Sequence, residues 1–437
     1  MLWLATAPAK AEFGFTWSLL VIAIMIIGVI GFLIYRWLDI AQYRFIPTVS
    51  QPPDLSQLTP ETYQDKQQRK RTRTLQHFFK TSGSWGIQAL YIIPGMILIV
   101  NWLHKYGFAD GTVYGILMVM TFVMNMLLSR LFSLWSPTRP FTTWDYPDRR
   151  TWIPGNMAWQ AWGVVSWAVP TYFFFAVFGV QGWIGSVAFI ALSQIIQLIV
   201  FIHNIKKRCV PYLQYEGFSA DFKASLQSYL AAQGMKDHEV GVIKDMNVGP
   251  NAFATSLTRF YRQVVITEEL IKGYPDPTNP RFILKLKEDT IESVIAHEVG
   301  HINHHHVEKS ISLGIAISAL ATVAVYYLFG RVDPAEFYFH GKISNQLMLY
   351  WGQSLFNVML VYPLTFFMIG FIRKNEWEAD QYMLTTNGCK RGYDFFYQIR
   401  HIAPIPNHEI WDRCNSTHPS PHLREEKMRQ WEKDHCR

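Results

Sequence analysis

The stretch Ile291-Glu292-Ser293-Val294-Ile295-Ala296-His297-Glu298-Val299-Gly300-His301 runs directly into an apolar segment long enough to cross a membrane. The apolar positions Ile291, Val294 and Ile295 fall on one side of a helix, which the pattern predicts over 288–306. On that helix His297 and His301 are four residues apart and share a face, so two imidazoles can reach one Zn²⁺. Glu298 stands beside the first of them, where its carboxylate can take a proton from a metal-bound water. A catalytic zinc wants three protein ligands and one open position. Glu376, in Glu376-Trp377-Glu378-Ala379-Asp380, is the candidate third ligand. Asp380, one turn further, can hydrogen-bond a ligating imidazole and set its tautomer. Glu378 reads as part of a solvated face.

Outward from the motif, the composition excludes an ordinary soluble enzyme. Half of the 437 residues are hydrophobic, 15% are aromatic and only 17% are charged. Stretches near 17–37, 86–103, 113–135, 160–180, 183–205, 310–330 and 346–372 are each long and apolar enough to span a bilayer. The first runs from Leu19 to Ile34 without a charge, too long for a signal peptide and with no cleavage site after it. Pro94 and Pro170 fall inside two of the seven, which a bundle tolerates when neighbours satisfy the freed carbonyls. The net charge of +7 comes from basic residues beside apolar spans, a pattern for anionic lipid and topology rather than nucleic acid.

Arg36, Arg44, Lys66, Arg69, Lys70, Arg71, Arg73 and Lys80 follow the first span, and Lys206-Lys207-Arg208 close the fifth. This bias predicts an N-outside, C-inside topology. His297 and His301 precede the sixth span and Glu376 follows the seventh, so two crossings return all three to the cytoplasmic face. The polar stretch between spans five and six predicts a helix over Ser219–Gln233 stopped by Gly234, with Phe222, Leu226, Tyr229 and Leu230 on one face. Short strands are predicted at Val240–Ile243, Ala252–Leu257 and Val264–Thr267, and a Pro-rich loop at Tyr274–Pro280. Gln51–Pro60 reads as irregular. His304, His305 and His306 read as an interfacial polar collar rather than a second metal site. The four cysteines, Cys209, Cys389, Cys414 and Cys436, show no metal-site spacing and read as free thiols.

An HExxH followed two spans later by ExxAD resembles the integral-membrane zinc endopeptidases, the group that includes the type I CAAX prenyl proteases and HtpX. Asn251-Ala252-Phe253-Ala254-Thr255 with Val264-Val265-Ile266-Thr267 resembles the strand pair these proteases place before the zinc helix, and Thr417-His418-Pro419-Ser420 with Arg424 resembles their C-terminal His-Pro element. The resemblance covers roughly residues 238–430. It implies a mainly α polytopic membrane protein of about seven transmembrane helices, with a small α+β, gluzincin-like zinc-metalloprotease domain at the cytoplasmic face. The expected divisions are an N-terminal membrane region (1–205), a cytosolic α+β region (206–309), spans six and seven (310–372) and a C-terminal region (373–437).

The implied function is a zinc-dependent membrane endopeptidase with one Zn²⁺ per chain, acting on membrane-associated or lipid-modified proteins, with Glu298 as general base. The resemblance makes His418 an oxyanion donor; a surface histidine at a turn before a proline is the other reading. It makes Asn251, Ala252, Phe253 and Ala254 a substrate-binding edge, where an ordinary buried strand is the other reading. Length, span number and motif placement lean to the CAAX-protease-like branch, although Ile302 stands where those proteins typically carry Trp. The expected location is a bacterial inner membrane (the endoplasmic reticulum in a eukaryote), with lipids and protein or peptide substrates as partners. An HtpX-type quality-control protease is the alternative within the class. A scaffold or transporter with a structural zinc is the alternative outside it.

Overall fold

The computed structural model describes residues 14–51, 60–134, 169–244 except 171, 251–330 except 259, 260, 277, 278 and 285, 344–387, and 405–435. Among them, six helices are long and apolar enough to cross a membrane: Leu19–Thr48, Tyr63–Lys105, Asp110–Leu128, Trp183–Arg208, His306–Phe329 and Asn345–Asn387. They match the expected spans one, two, three, five, six and seven. The expected span near 160–180 lies partly outside the described residues, with 172–178 helical.

Helix α1 (Gly14–Phe45) leaves Ile26 and Leu33 more than half exposed, apolar surface of the kind a bilayer covers. Its inner face is different. A Cβ on Gly28 would stand 2.6 Å from the Met359 carbonyl oxygen, so only glycine lets α1 pack this closely on the long helix that carries Glu376. Helix α2 (Pro60–Leu90) runs through a π turn (Tyr91–Gly95) into α3 (Met96–Lys105). The basic stretch after span one is therefore helical from Pro60 on, which a polar run with no apolar stripe did not disclose. Pro94 lies in the π turn, and the Trp351 indole donates to the nearby Ile92 carbonyl at 2.8 Å. Helices α4 (Asp110–Leu134) and α5 (Trp183–Arg208) complete the N-terminal half. Residues 52–59, on which the irregular stretch was expected, lie outside the described residues.

The polar region is a small α+β layer. β1 (Cys209–Pro211), α6 (Ala220–Ala232), β2 (Val240–Ile243), β3 (Ala252–Thr258), β4 (Tyr261–Thr267) and the short α7 (Glu268–Lys272) form it, with sheet order β1-β2-β4-β3. Ser219 caps α6 by accepting from the Phe222 N–H, and Gly234 ends it at φ +68°. Phe222, Leu226 and Leu230 pack with Val240, Val242, Val264 and Ile266 into one core. The Pro-rich segment expected as a loop is instead a hairpin of β5 (Tyr274–Asp276) and β6 (Asn279–Leu284). Pro275 lacks a donor, but a strand with one unpaired edge tolerates that.

The predicted single helix over 288–306 is broken. α8 (Glu288–Asn303) stops, His305 takes a left-handed φ of 56°, and α9 (His306–Phe329) starts in a new direction. Helix α10 (Asn345–Asn387) returns antiparallel to α9, and α11 (Glu409–Asn415) and α12 (Pro421–His435) close the chain over its end. Cys209 and Cys414 are free, as expected; Cys389 and Cys436 lie outside the described residues.

Candidate metal centre

Two small residues set the spacing of the site. Gly300, inside the HExxH helix α8, faces Ala379 of α10, and a Cβ there would meet Ala379 Cα and Tyr382 Cβ at 3.1 Å each. The two helices therefore touch backbone to side chain at the motif itself, which brings α10 carboxylates against α8 imidazoles. His301 Nε2 is 3.5 Å from Glu376 Oε1, His297 Nε2 is 3.6 Å from Glu376 Oε2, and the two Nε2 atoms are 3.1 Å apart. His297, His301 and Glu376 each present a ligand atom within 4.8 Å of the others.

The chemistry of this donor set fits a metal. His297 turns Nδ1 to Asp380 Oδ1 at 3.0 Å, and His301 turns Nδ1 to His306 at 2.9 Å. With the ring protons on those nitrogens, two lone pairs and a carboxylate converge on one point, an arrangement that a cation stabilises and neutral packing does not.

Glu298 is buried beside this point. Burial raises its carboxyl above the ordinary 4.5 and the Glu376 charge adds to this, while His297, His418 and a backbone N–H from Ala254 pull the other way. The Ala254 bond ties the general-base candidate to β3. Among the described residues β3 has only β4 as a sheet neighbour, and it packs against the zinc helix. Ala252 and Ala254 pack toward the core of the α+β layer, and Phe253 points the other way toward Phe201 of α5. What the strand offers at the site is its main chain. Asn251 is exposed at the start of β3, its backbone held by Thr267.

His418 arrives from the C-terminal region, with Nδ1 2.9 Å from Glu376 Oε2 and its side chain 69% exposed. Its loop is fastened by a buried ion pair. Asp412 accepts from Arg373 and from the Ser420 N–H, both at 3.2 Å, and Arg373 also donates to the Ser416 carbonyl. Arg373 lies one turn before Glu376 on α10, so one helix positions both the carboxylate and the histidine loop. A cavity of about 700 Å³ between α5, α9 and α10 is lined by Gln194, Ser318, Gln353 and Asn357, and also by Thr417 next to His418.

The structure thus brings together His297, Glu298, His301, Glu376, Asp380 and His418. It also corrects two expectations. Glu378 is not a bare solvated face: its Oε2 lies 3.0 Å from His306 Nε2. His306 is not an interfacial collar either, being 2% exposed against His301. Arg424, which the motif placed in the C-terminal element without a role, is 9% exposed. It donates through two nitrogens to Asp380 and lies 3.6 Å from Glu376. A lone arginine in a charged helix such as α12 carries no sign of burial in its sequence.

Residues 219–432 match the model of peptidase family M48. That matched stretch, just under half of the chain, carries the domain of that family. A protease HtpX homolog of Picrophilus torridus is 24% identical over 227 residues, 50% of this chain and 64% of the relative. Protease HtpX homolog 1 of Sulfolobus acidocaldarius is 31% identical over 148 residues, 33% of this chain and 43% of the relative. The chain thus spans less than two thirds of the length of either relative. In fold it is similar to the crystal structure of S. mikatae Ste24p, with a TM-score of 0.67, 18% identity and coverage of 97% of this chain and 99% of that one. The match to M48 and the six apolar helices among the described residues support a multi-pass membrane protein that carries a metallopeptidase-family domain, and the family implies a metal, generally zinc. Among the described residues two groups have the donor chemistry to hold one, His297, His301 and Glu376, which the HExxH and ExxAD motifs mark, and the adjoining His304, His306 and Glu378.

Proposed function

We propose that the chain is a zinc-dependent endopeptidase that hydrolyses peptide bonds of membrane-associated proteins at the cytoplasmic face of the membrane. The observation that carries this is the convergence of His297, His301 and Glu376, with Glu298 buried beside them and bonded to an edge strand. One zinc per chain, held by those three side chains, would polarise the scissile carbonyl and acidify water. Glu298 takes a proton from the attacking water and passes it to the leaving amine, work for which a carboxyl raised above its ordinary value is suited. Asp380 keeps the His297 ring oriented, and Arg424 neutralises Asp380. His418, exposed and next to Glu376, donates to the oxyanion of the tetrahedral intermediate.

The edge of β3 away from β4, over Asn251–Ala254, takes an extended substrate by main-chain pairing, which gives affinity with little side-chain selection. The Lys206-Lys207-Arg208 cluster at the end of α5 and the basic residues of α2 favour a cytoplasmic site, in a bacterial inner membrane. Sequence likeness to HtpX homologs favours damaged membrane proteins as a second substrate class, beside lipid-modified ones.

The test is Glu298→Gln. This variant should keep one zinc and its fold, since Glu298 is not a ligand, while turnover of a susceptible membrane protein falls about 10²–10⁴-fold. Cleavage at the parent rate would leave a structural-zinc scaffold as the better account.

A further inference from the structure

The two candidate imidazole ligands are supported differently. His297 is backed by a carboxylate directly, Asp380 at 3.0 Å. Among the described residues no carboxylate stands at that distance behind His301; its Nδ1 meets His306 Nδ1 at 2.9 Å, and His306 Nε2 in turn meets Glu378 Oε2 at 3.0 Å. The proton positions along this chain follow from its end. A carboxylate only accepts, so His306 carries its proton on Nε2, its Nδ1 is an acceptor, and His301 carries its proton on Nδ1. That leaves the His301 Nε2 lone pair facing Glu376.

The backbone is arranged to make this contact. Had α8 continued, His306 would follow His301 by five residues and lie on a different face. Instead His304 and His305 form a turn, with their N–H groups bonded to the Gly300 and Ile302 carbonyls at 3.0 Å each. His305 adopts φ 56°, alone among the described non-glycine residues in having a positive φ. A left-handed backbone strains a residue that carries a Cβ, and its consequence here is to aim the His306 ring back at His301. Glu378 sits two residues after Glu376, on a separate face of α10, so a single helix supplies both a metal-facing carboxylate and the carboxylate at the end of the relay.

We propose that His306 and Glu378 are positioning residues, a two-member relay that holds His301 in the tautomer and orientation needed to bind the metal through Nε2. This rests on the metal reading above, and the experiment separates the two. Zinc affinity is measured by chelator competition on the purified full chain in detergent, for the parent and for Glu376→Ala, His306→Ala, His306→Asn, Glu378→Gln and His304→Ala. Thermal unfolding in excess chelator reports whether each variant folds.

The relay requires His306→Ala to bind zinc about 10–100-fold more weakly than the parent, the usual effect of losing such a partner. His306→Asn should bind tighter than His306→Ala by about three- to tenfold, because the amide oxygen restores one acceptor near the Nδ1 position. Lost packing would not be rescued by that smaller side chain. Glu378→Gln, at a partly exposed position where the fold is not at risk, should weaken binding in the same direction but less. His304→Ala, exposed and outside the relay, should match the parent.

Parent-like affinity in both His306→Ala and Glu378→Gln, or no recovery in His306→Asn, overturns the relay. So would two zinc ions per parent chain, one of them lost in His304→Ala, because His304, His306 and Glu378 would then be ligands themselves. Stoichiometric zinc in Glu376→Ala would break the metal reading instead, whatever the His306 variants do.

Discussion

Gly300→Ala tests whether the close approach of α8 and α10 sets the metal geometry. The added Cβ would stand 3.1 Å from Ala379 Cα and Tyr382 Cβ and 3.2 Å from Tyr382 Cδ1. Carbon atoms prefer about 3.5–4.0 Å, so the helices must part by roughly 0.4 Å or more. His297 and His301 ride on α8 while Glu376 rides on α10, and the gap opens between them. Metal–ligand distances tolerate only about ±0.2 Å. Two effects on folding partly offset each other, leaving a net cost of about 0–2 kcal/mol: overpacking costs about 1–3 kcal/mol, and alanine in place of a helical glycine returns about 1 kcal/mol. Metal affinity has no such offset and should fall about tenfold or more, since tenfold corresponds to about 1.4 kcal/mol. The assay is chelator competition for zinc, with thermal unfolding in chelator run in parallel. A variant that folds and binds zinc within twofold of the parent would refute the argument that this contact positions Glu376.

Arg424→Ala removes the partner of the buried Asp380 and should destabilise the metal-free protein by about 3–5 kcal/mol, read as a lowered Tm in chelator; an unchanged Tm would mean the pair is dispensable. Zinc binding should depend on pH through one group. Burial opposes charge on His297, but its Asp380 and Glu376 partners outweigh this and carry it up to about 9 in the metal-free protein. His301 is pushed down to about 3 by burial and by the His297 charge, and so is uncharged at neutral pH, with a single ring proton and a free lone pair. Below pH 9 the metal must therefore displace one proton, and apparent affinity should rise about tenfold per pH unit between 6 and 8. A flat profile or a slope of two would contradict it. In a background without native cysteines, a cysteine at Asp110 should label from outside and one at Arg71 only after permeabilisation, and the reverse pattern would invert the topology.

The parts of this molecule legible in the sequence are those with a local signature. Apolar length marks α1, α5 and α9 because each helix must satisfy its own backbone in lipid. A four-residue spacing marks His297 and His301 as one face, and the same spacing links Glu376 to Asp380. The cap at Ser219 and the stop at Gly234 mark α6 because both act within a turn of their own position.

Tertiary structure alone decided the rest. The turn at His304–His305 falls where the sequence itself has neither proline nor glycine, so no local breaker announces its left-handed residue. His306, Glu378 and Arg424 look like surface residues in their own segments. They become parts of the site only because α9, α10 and α12 return to α8 across long separations. Which polar side chains are buried depends on where distant helices meet. The period of a single helix shows which residues share a face, but not what that face will touch.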